Sequence, residues 1–177
     1  MSALQITDLP PLPARDPDSH KGTYGRILLV AGSPGMPGAA VLAARAALRS
    51  GSGLVTVAFA ESLAPAFTAA LPEAMQLQLP EPGSANHDEE VAARLGVDLA
   101  GRFDAIGAGP GLGTSATSRR VLECVLAAYN GPQVLDADAL NLVADGLQPG
   151  DCEERIWTPH PGEFERLTGS LPSGDQE

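Results

Sequence analysis

Residues 26–40 read RILLVAGSPGMPGAA, and this stretch decides the fold class. Arg26–Ala31 form a short apolar run without polar alternation, which is typical of a strand covered on both faces. A turn rich in glycine and proline follows. After it, an alanine-rich helical pattern extends over Gly38–Ser50, with Gly51 as a natural stop. A strand, a turn and a helix in this order predict the first half of a parallel crossover unit.

The same alternation continues along the rest of the chain. Five further apolar runs predict strands at Leu54–Phe59, Ala74–Leu79, Phe103–Ala108, Gln133–Ala137 and Arg155–Thr158. Helical patterns lie between or after them, at Glu61–Ala70, Glu89–Ala100, Thr114–Tyr129, Asp138–Asp145 and Gly162–Leu167. Alternating strands and helices predict an α/β protein with a mainly parallel sheet.

Composition excludes several classes of protein. Hydrophobic residues make up 44% of the 177 residues and charged residues 19%, so the chain does not belong to the disordered class. The formal net charge is -11, and such a surface repels nucleic-acid backbones and anionic lipid headgroups. Met1–Pro13 lacks a signal-peptide pattern, and no apolar stretch is long enough to span a bilayer. We therefore expect a cytoplasmic protein with no nucleic-acid partner and no membrane partner.

Two glycine-rich loops follow predicted strands and precede predicted helices. The first, Gly32–Gly38, has the spacing Gly-x-x-Gly-x-x-Gly, which matches neither the dinucleotide-binding fingerprint nor a P-loop. It is as compatible with a tight turn as with a ligand site. The second, Gly107–Thr114, has glycine at four alternate positions, so its backbone can approach a ligand without obstruction from Cβ atoms. A turn alone rarely requires so many glycines, and this loop favours a binding site.

Polar residues follow the last two predicted strands. Asp136 and Asp138 are two residues apart, and carboxylates at this spacing could hold Mg²⁺. Asp138 is also explained as the N-cap of the next helix, so Asp136 is the better metal candidate. His160 lies between two prolines that restrict the backbone, and Glu163 follows three residues later. Glu163 has a second explanation as a first-turn acid favoured by the helix dipole.

Two further residues stand apart from these loops. Lys21 is the only lysine in the chain and precedes the first predicted strand, in the segment His20-Lys21-Gly22. It is either a surface residue or part of a segment that folds over a site, including a site on a neighbouring subunit. His87 lies in a polar stretch, Pro80–Asp88, which predicts a loop. We assign it no role from the sequence.

Taken in order, these motifs resemble those of one enzyme family, the NAD(P)H-hydrate dehydratases. The matching segments are His20–Gly25, Gly32–Ser33, Gly38–Ala39, Arg49–Val55, Gly109–Gly113, Asp136–Leu140 and Thr158–Glu163. Each motif is weak alone, but together they follow the family's order and spacing over roughly Arg15 to Leu167. The resemblance implies a ribokinase-like, three-layer α/β/α fold with a mainly parallel sheet.

The resemblance also implies a function in the repair of nicotinamide nucleotides. Members of the family use an adenine nucleotide to dehydrate the S-forms of NADHX and NADPHX, which are 6-hydroxylated reduced cofactors, back to NADH and NADPH. The resemblance implies that the hydroxyl group is phosphorylated and that phosphate then leaves. Bacterial-type members use ADP as the phosphoryl donor, whereas eukaryotic members use ATP. Members are oligomeric, often tetrameric, so the resemblance implies a homo-oligomer.

Residue roles follow from the resemblance, position by position. Ala39 would contact the hydrated nicotinamide nucleotide, Gly109 and Gly111 would line the same cleft, and His160 would bind the substrate too. Glu163 lies where related sugar and thiazole kinases carry the Glu of an Asn-x-x-Glu motif, which organises Mg²⁺ and phosphate. His160 replaces the Asn of that motif, as in bacterial-type members, which favours ADP over ATP. With Asp136, Glu163 forms the predicted metal site.

One departure from the family pattern concerns the C-terminal part of the domain. Family members continue with a Lys-Gly segment that binds the adenine nucleotide and a Gly-Thr-Gly-Asp loop that supplies an anion hole and the catalytic Asp. The 177 residues contain no Gly-x-Gly-Asp sequence and no lysine after Lys21. We therefore expect residues 1–177 to form one incomplete, C-terminally truncated dehydratase domain, with no catalytic residue before Glu177 and an exposed sheet edge.

Two other functions are compatible with the same motifs. A small-molecule kinase of this fold, such as a hydroxyethylthiazole kinase, would release a stable phosphorylated product. His160 and the segment His20–Gly22 argue against it. A non-catalytic module would bind the nicotinamide nucleotide without turnover.

We predict that the 177-residue chain alone recovers NADH from (S)-NADHX at a negligible rate with either ADP or ATP. Loss of general acid–base help costs ~10²–10⁴-fold in rate, and loss of an oxyanion-type cradle costs ~10²–10³-fold. An absorbance assay for NADH measures the rate, with a full-length family member as the positive control. Robust nucleotide-dependent turnover by the chain would overturn the expected truncation.

Overall fold

A computed structural model describes residues 14–81, 83, 86–95 and 99–172 of the chain. Within these ranges, six strands form one sheet in the order β3-β2-β1-β4-β5-β6, and every neighbouring pair is parallel. The strands are β1 (Arg26–Val30), β2 (Leu54–Ala60), β3 (Met75–Leu79), β4 (Ala105–Ala108), β5 (Gln133–Leu135) and β6 (Arg155–Trp157). The predicted parallel α/β fold is confirmed, and each predicted strand is present within two residues of its expected bounds.

Helices precede or follow each strand, as the sequence patterns predict. In the described ranges they are α1 (Pro37–Arg49), α2 (Ala64–Ala70), α3 (His87–Leu95), α4 (Leu99–Arg102), α5 (Ala116–Ala128), α6 (Asp138–Ala144) and α7 (Pro161–Thr168). The described part of the predicted helix Glu89–Ala100 is helical, in α3 up to Leu95 and in α4 from Leu99, and residues 96–98 lie outside the described residues. Met1–Pro13 and residues 82, 84 and 85 of the predicted loop also lie outside them. None of the helices in this part of the chain is long and apolar enough to cross a membrane.

Helices cover one face of the sheet and the part of the other face formed by β1 and β2, which explains why those strands lack polar alternation. On one face, Leu28, Val30 and Ile106 form a core with side chains of α3, α5 and α6. On the other face, side chains of β1 and β2, including Leu29 and Phe59, pack against α1 and α2. The sheet therefore lies between two helical layers, and the predicted three-layer α/β/α architecture is confirmed.

Small side chains set the distance between α1 and the sheet. Ala40 and Ala44 of α1 are completely buried. Next to them, the rings of Phe59 on β2 and Phe67 on α2 stack with centroids 4.0 Å apart and an interplanar angle of 8°. A Cβ atom on Gly32 would lie 3.0 Å from the Cβ of Ala40 and 3.6 Å from the Phe67 ring. This cluster therefore packs directly under the loop that leaves β1.

The same face is open over β4, β5 and β6. Val134 on β5 and Ile156 on β6 lie in register with Gly107 on β4 and are both exposed, Ile156 by 61%. Among the described strands, β6 is an edge strand with one unpaired side. An apolar strip beside an unpaired edge is a surface on which further polypeptide packs favourably. The exposed, partly apolar edge expected from the sequence is present in the described sheet.

The segment before β1 lies at the amino ends of the strands. Lys21–Tyr24 form a 3-10 turn that packs against the start of β2, where a Cβ on Gly53 would lie 1.6 Å from the carbonyl oxygen of Lys21. Nearby, the Arg26 guanidinium donates to the Asp104 carboxylate (Nη2–Oδ1 3.1 Å), which lowers the pKa of Asp104. Lys21 therefore lies near the amino ends of the strands, whereas the two glycine loops follow the carboxyl ends of β1 and β4. This chain does not bring Lys21 to the glycine loops.

We predict that Phe67→Ala lowers the free energy of unfolding by about 3–5 kcal/mol, because it removes a buried ring and leaves a cavity beneath the loop after β1. Chemical denaturation followed by circular dichroism measures the change. Leu42→Ala on α1 is the matched control, since this side chain is 69% exposed, and we expect a change within about 0.5 kcal/mol. Equal effects of the two variants would contradict the packing described here.

Candidate functional site

The loops after β1 and β4 lie side by side at the centre of the sheet. Strand β1 pairs with β2 on one side and with β4 on the other, so the strand order reverses between β1 and β4. In parallel α/β sheets, the crevice for a ligand forms at this switch point, outside the carboxyl ends of the strands. The two predicted glycine loops meet here: the Gly32 amide donates to the carbonyl of Pro110 at 2.9 Å, and the Gly109 amide to that of Val30 at 3.0 Å.

Ala39 and Gly111, two of the predicted substrate-binding residues, lie next to each other in this crevice. Gly111 has a φ of +63°, and a Cβ atom on it would lie 2.8 Å from the Cβ of Ala39. The same atom would lie 2.8 Å from the carbonyl oxygen of Met36, at the start of α1. The two loops are therefore in direct contact here, and a side chain at position 111 would clash with Ala39 and Met36.

Gly109, the third of these residues, allows the loop after β4 to approach the loop after β5. Its φ is +125°, and a Cβ atom on it would lie 1.7 Å from the carbonyl oxygen of Asp136 and 2.9 Å from the Cβ of Ala139. The Asp136 amide in turn donates to the carbonyl of Ala108 at 3.0 Å. Only glycine fits this position, because both the backbone conformation and the space exclude a side chain.

The carboxylates of Asp136 and Asp138 bind different neighbours. Asp136 Oδ1 accepts a hydrogen bond from Thr158 Oγ1 at 2.8 Å, which links the loops after β5 and β6. Asp138 Oδ2 accepts one from the Gly113 amide at 2.8 Å. The interpretation of Asp138 as an N-cap is wrong, because α6 begins at Asp138 and its N-cap is Ala137. The Asp138 side chain instead holds the second glycine loop in place.

Ala137, between the two carboxylates, has an unusual backbone conformation. Its φ of 50° and ψ of -119° lie in a region of backbone conformation that residues other than glycine rarely adopt. Such strain costs about 1–3 kcal/mol and is often found at functional sites. The strain here reverses the chain direction between the strand end and α6, so that Asp138 points to Gly113 while Asp136 remains beside Thr158.

His160 and Glu163 form a capping box at the start of α7. His160 Nδ1 accepts hydrogen bonds from the amides of Gly162 at 3.1 Å and Glu163 at 3.4 Å, and Glu163 Oε2 accepts one from the His160 amide at 3.0 Å. Because Nδ1 is an acceptor, the neutral ring carries its proton on Nε2. Glu163 is only 6% exposed, which agrees with a first-turn structural role. The cap holds the largely exposed His160 ring in one orientation at the loop after β6.

The predicted metal ligands follow adjacent strands. Asp136 comes after β5 and Glu163 comes after β6, so both lie toward the carboxyl edge of the sheet. Among the described residues, no group of three or more His, Cys, Asp or Glu side chains is close enough to hold a metal ion. Mg²⁺ that binds through substrate phosphates commonly requires only one or two carboxylates from the protein. The metal role of these two residues therefore stays a prediction.

One residue that sequence reasoning left without a role lies close to this crevice. His87 is the first residue of α3, not part of a loop, and it is 8% exposed. The sequence contains a signal that could have identified it: His87, Val91 and Leu95 are spaced four residues apart, and all three are buried on one face of α3. The imidazole lines a pocket together with Ser33 of the first glycine loop.

We predict that Gly109→Ala lowers the free energy of unfolding by at least about 2 kcal/mol, because it adds backbone strain and a clash with Asp136. Gly38→Ala is the control: a Cβ on Gly38 meets no atom within 4 Å, and alanine favours the first turn of α1 by up to about 1 kcal/mol. Thermal denaturation of both variants measures the difference. A Gly109→Ala variant as stable as Gly38→Ala would contradict the close approach of these loops.

Comparisons with known proteins identify the family to which the chain is similar. A family model described as NAD(P)H-hydrate dehydratase matches residues 27–177. The ADP-dependent (S)-NAD(P)H-hydrate dehydratase of Lactiplantibacillus plantarum is 43% identical over 157 residues, which are 88% of this chain and 52% of that protein. The bifunctional NAD(P)H-hydrate repair enzyme of Moorella thermoacetica is 39% identical over 168 residues, which are 94% of this chain and 32% of that protein.

Solved structures agree with these matches. The ADP/ATP-dependent NAD(P)H-hydrate dehydratase from Bacillus subtilis, co-crystallized with ATP/Mg²⁺, superposes with a TM-score of 0.70 at 40% identity over 89% of this chain. A ribokinase-like superfamily protein from Enterococcus faecalis superposes with a TM-score of 0.71 at 29% identity, which confirms the ribokinase-like fold. In both cases the match covers 52% of the other chain. This chain thus spans about half the length of these relatives, and it belongs to the NAD(P)H-hydrate dehydratase family.

Proposed function

We propose that this chain acts in the repair of nicotinamide nucleotides, as the substrate-binding part of an ADP-dependent (S)-NAD(P)H-hydrate dehydratase. The observation that best supports the proposal is the close approach of two glycine loops at the switch point of the sheet, where Ala39 lies against Gly111. Family membership supplies the reaction, and the switch point is where parallel α/β sheets bind their ligands. The domain assignment belongs to the same proposal: residues 1–177 are part of one dehydratase domain.

The residues of the crevice bind and orient the hydrated nucleotide. Gly109 and Gly111 line the cleft with their backbone, and the absence of Cβ atoms lets their loop pack against Asp136 and Ala39. Ala39 closes the opposite side with a single methyl group. His160 contacts the substrate with its exposed ring, whose orientation is set by the bonds from the amides of Gly162 and Glu163 to Nδ1.

The reaction transfers the terminal phosphoryl group of ADP to the hydroxyl oxygen of the substrate. The carbon–oxygen bond then breaks, phosphate leaves with that oxygen, and a proton is lost, so the reduced nicotinamide ring, AMP and phosphate are formed. Mg²⁺, when bound by Asp136 or Glu163 together with the phosphates, would neutralise part of the phosphate charge. Asp136, which Thr158 holds by a hydrogen bond of 2.8 Å, is the more accessible of the two carboxylates.

The setting of the reaction is part of the proposal. We infer a cytoplasmic homo-oligomer whose small-molecule partners are NADHX or NADPHX and an adenine nucleotide. The acidic composition, with a net charge of -11, supports the inference that nucleic acids and anionic membranes are not partners. The Bacillus subtilis relative was crystallised with ATP/Mg²⁺, which supports the proposal that an adenine nucleotide and Mg²⁺ bind in addition to NADHX or NADPHX.

We predict that the chain binds (S)-NADHX and that Ala39→Leu lowers the affinity at least tenfold, because the larger side chain displaces the glycine loop that Ala39 contacts. Isothermal titration calorimetry with (S)-NADHX measures the affinity. His160→Ala is a second variant, which removes a predicted substrate contact from a different element and should also lower the affinity. Circular dichroism establishes that both variants retain the fold.

Leu42→Ala, on the exposed side of the same helix as Ala39, is the matched control and should bind as the unmodified chain does. Unchanged affinity in both Ala39→Leu and His160→Ala would overturn the placement of the substrate in this crevice. Absence of any binding of (S)-NADHX or (S)-NADPHX by the folded chain would count against the function itself.

A further inference from the structure

A series of hydrogen bonds runs from the second glycine loop across α6 to α7. The Gly113 amide donates to Asp138 Oδ2 at 2.8 Å, and Asn141 Nδ2 donates to Asp138 Oδ1 at the longer distance of 3.4 Å. Asn141 Oδ1 in turn accepts a hydrogen bond from Arg166 Nη1. These four residues form the Asn141 bridge, which joins the loop after β4 to the helix that follows β6.

The donors and acceptors of the Asn141 bridge fit in only one direction. An arginine side chain can only donate and an ionised carboxylate can only accept, whereas an asparagine amide does both. Asn141 therefore turns its oxygen toward Arg166 and its nitrogen toward Asp138. Because this neutral amide serves a cation on one side and an anion on the other, its removal interrupts the whole bridge.

One end of the Asn141 bridge holds the second glycine loop. Gly113 has a φ of +77°, and Asp138 accepts from its amide. Gly111, two residues earlier in the same loop, lies against Ala39 in the candidate substrate crevice. A displacement of the Asp138 carboxylate would therefore move the loop that carries two of the proposed substrate-binding residues.

The other end of the Asn141 bridge lies over the first turn of α7, next to His160. Arg166 is one helical turn after Gly162, and its Nη2 atom would lie 3.9 Å from a Cβ atom on Gly162. The Gly162 amide donates to His160 Nδ1 at 3.1 Å. The guanidinium therefore packs over the residue that orients the imidazole, and Asn141 holds it there from the neighbouring helix.

The helix dipole does not account for this position of the guanidinium. A cation is favoured at the C-terminal end of a helix and disfavoured at the N-terminal end. Arg166 belongs to the last turn of α7, yet its guanidinium reaches back to Gly162 in the first turn. The hydrogen bond to Asn141 stabilises this arrangement, which indicates that the arginine serves the connection between the two helices.

We propose that Asn141 and Arg166 are positioning residues that set the separation between the second glycine loop and His160, two parts of the proposed substrate site. This inference rests on the proposed function, because that function places the hydrated nucleotide between them. Asn141 and Arg166 do not touch the substrate. They act through Asp138, which holds the loop, and through Gly162, which holds the imidazole.

NMR of the Gly113 amide tests the connection directly. Arg166→Gln removes the charged donor, and we expect the ¹⁵N–¹H resonance of Gly113 to shift because the remaining members of the bridge adjust. In an Asn141→Ala background the same substitution should leave that resonance unchanged, since the bridge is already interrupted. Arg45→Gln is the matched control: it removes an equal charge from a guanidinium that also donates to a carbonyl, but outside the bridge. Gly113 should not respond to it.

Asn141→Asp adds a pH profile as a second readout. The new carboxyl group faces the Asp138 carboxylate, and repulsion between like charges raises the pKa of the new group above its usual value of about 3.9. Near neutral pH both groups are charged, and the Gly113 resonance should be displaced. At about pH 5 the new group holds a proton that it can donate to Asp138, so the resonance should return toward that of the unmodified chain. Asn141→Ala has no such proton and should remain displaced at both pH values.

The affinity for (S)-NADHX, measured by calorimetry, decides whether the bridge serves the substrate site. Arg166→Gln and Asn141→Ala should each lower the affinity about fivefold, as expected for loss of one hydrogen bond. The double variant should bind no more weakly than the weaker of the two, because both substitutions interrupt the same bridge. Arg45→Gln should bind as the unmodified chain does. Circular dichroism establishes that every variant retains the fold.

The outcomes distinguish this inference from the proposed function. A Gly113 resonance that ignores Arg166→Gln, or that responds equally in the Asn141→Ala background, would overturn the proposal. A coupled resonance with unchanged affinity for (S)-NADHX in both variants would show that the bridge is only structural, which also overturns the proposal and leaves the dehydratase function standing. A coupled resonance in a chain that does not bind (S)-NADHX would support the bridge and count against the dehydratase function.

Discussion

The contact between Gly109 and the carbonyl of Asp136 sets the geometry of the whole candidate site. A single Cβ atom at position 109 would lie 1.7 Å from that oxygen, so the loops after β4 and β5 can meet only if the residue is glycine. This approach allows Asp138 to reach the Gly113 amide and keeps Asp136 beside Thr158. The loops that follow β4, β5 and β6 are therefore connected by one close backbone contact and two hydrogen bonds to aspartate side chains.

Polar contacts then hold each loop in one arrangement. The strained backbone of Ala137 directs its two flanking carboxylates to different partners. The capping box of His160 and Glu163 fixes the start of α7. These bonds satisfy backbone amides that would otherwise lack partners at helix and loop ends. A preorganised crevice of this kind suits recognition of a substrate more than it suits a simple connection between strands.

Much of this arrangement was predictable from local sequence patterns. The apolar runs located all the described strands, and the glycine spacing identified both loops that meet at the switch point. Other features were not predictable, because they depend on residues far apart in the chain. The local pattern predicts an N-cap at Asp138, yet the Asp138 carboxylate accepts a hydrogen bond from the Gly113 amide, 25 residues earlier. The local pattern predicts a loop at His87, whereas His87 begins α3 and is buried.

The sequence by itself determined the class of the fold, the order of its elements and the glycine positions, because periodicity and the steric freedom of glycine are local properties. Motif order was sufficient to indicate the family. Which loops are neighbours depends on the tertiary structure, since the pairing of β1 with β4 joins residues 78 positions apart, such as Ile27 and Ala105. It alone left Val134 and Ile156 exposed on an open half of the sheet and buried His87 Nε2 without a hydrogen-bond partner among the described residues. Burial and hydrogen-bond satisfaction depend on the complete set of spatial neighbours, which no local pattern contains.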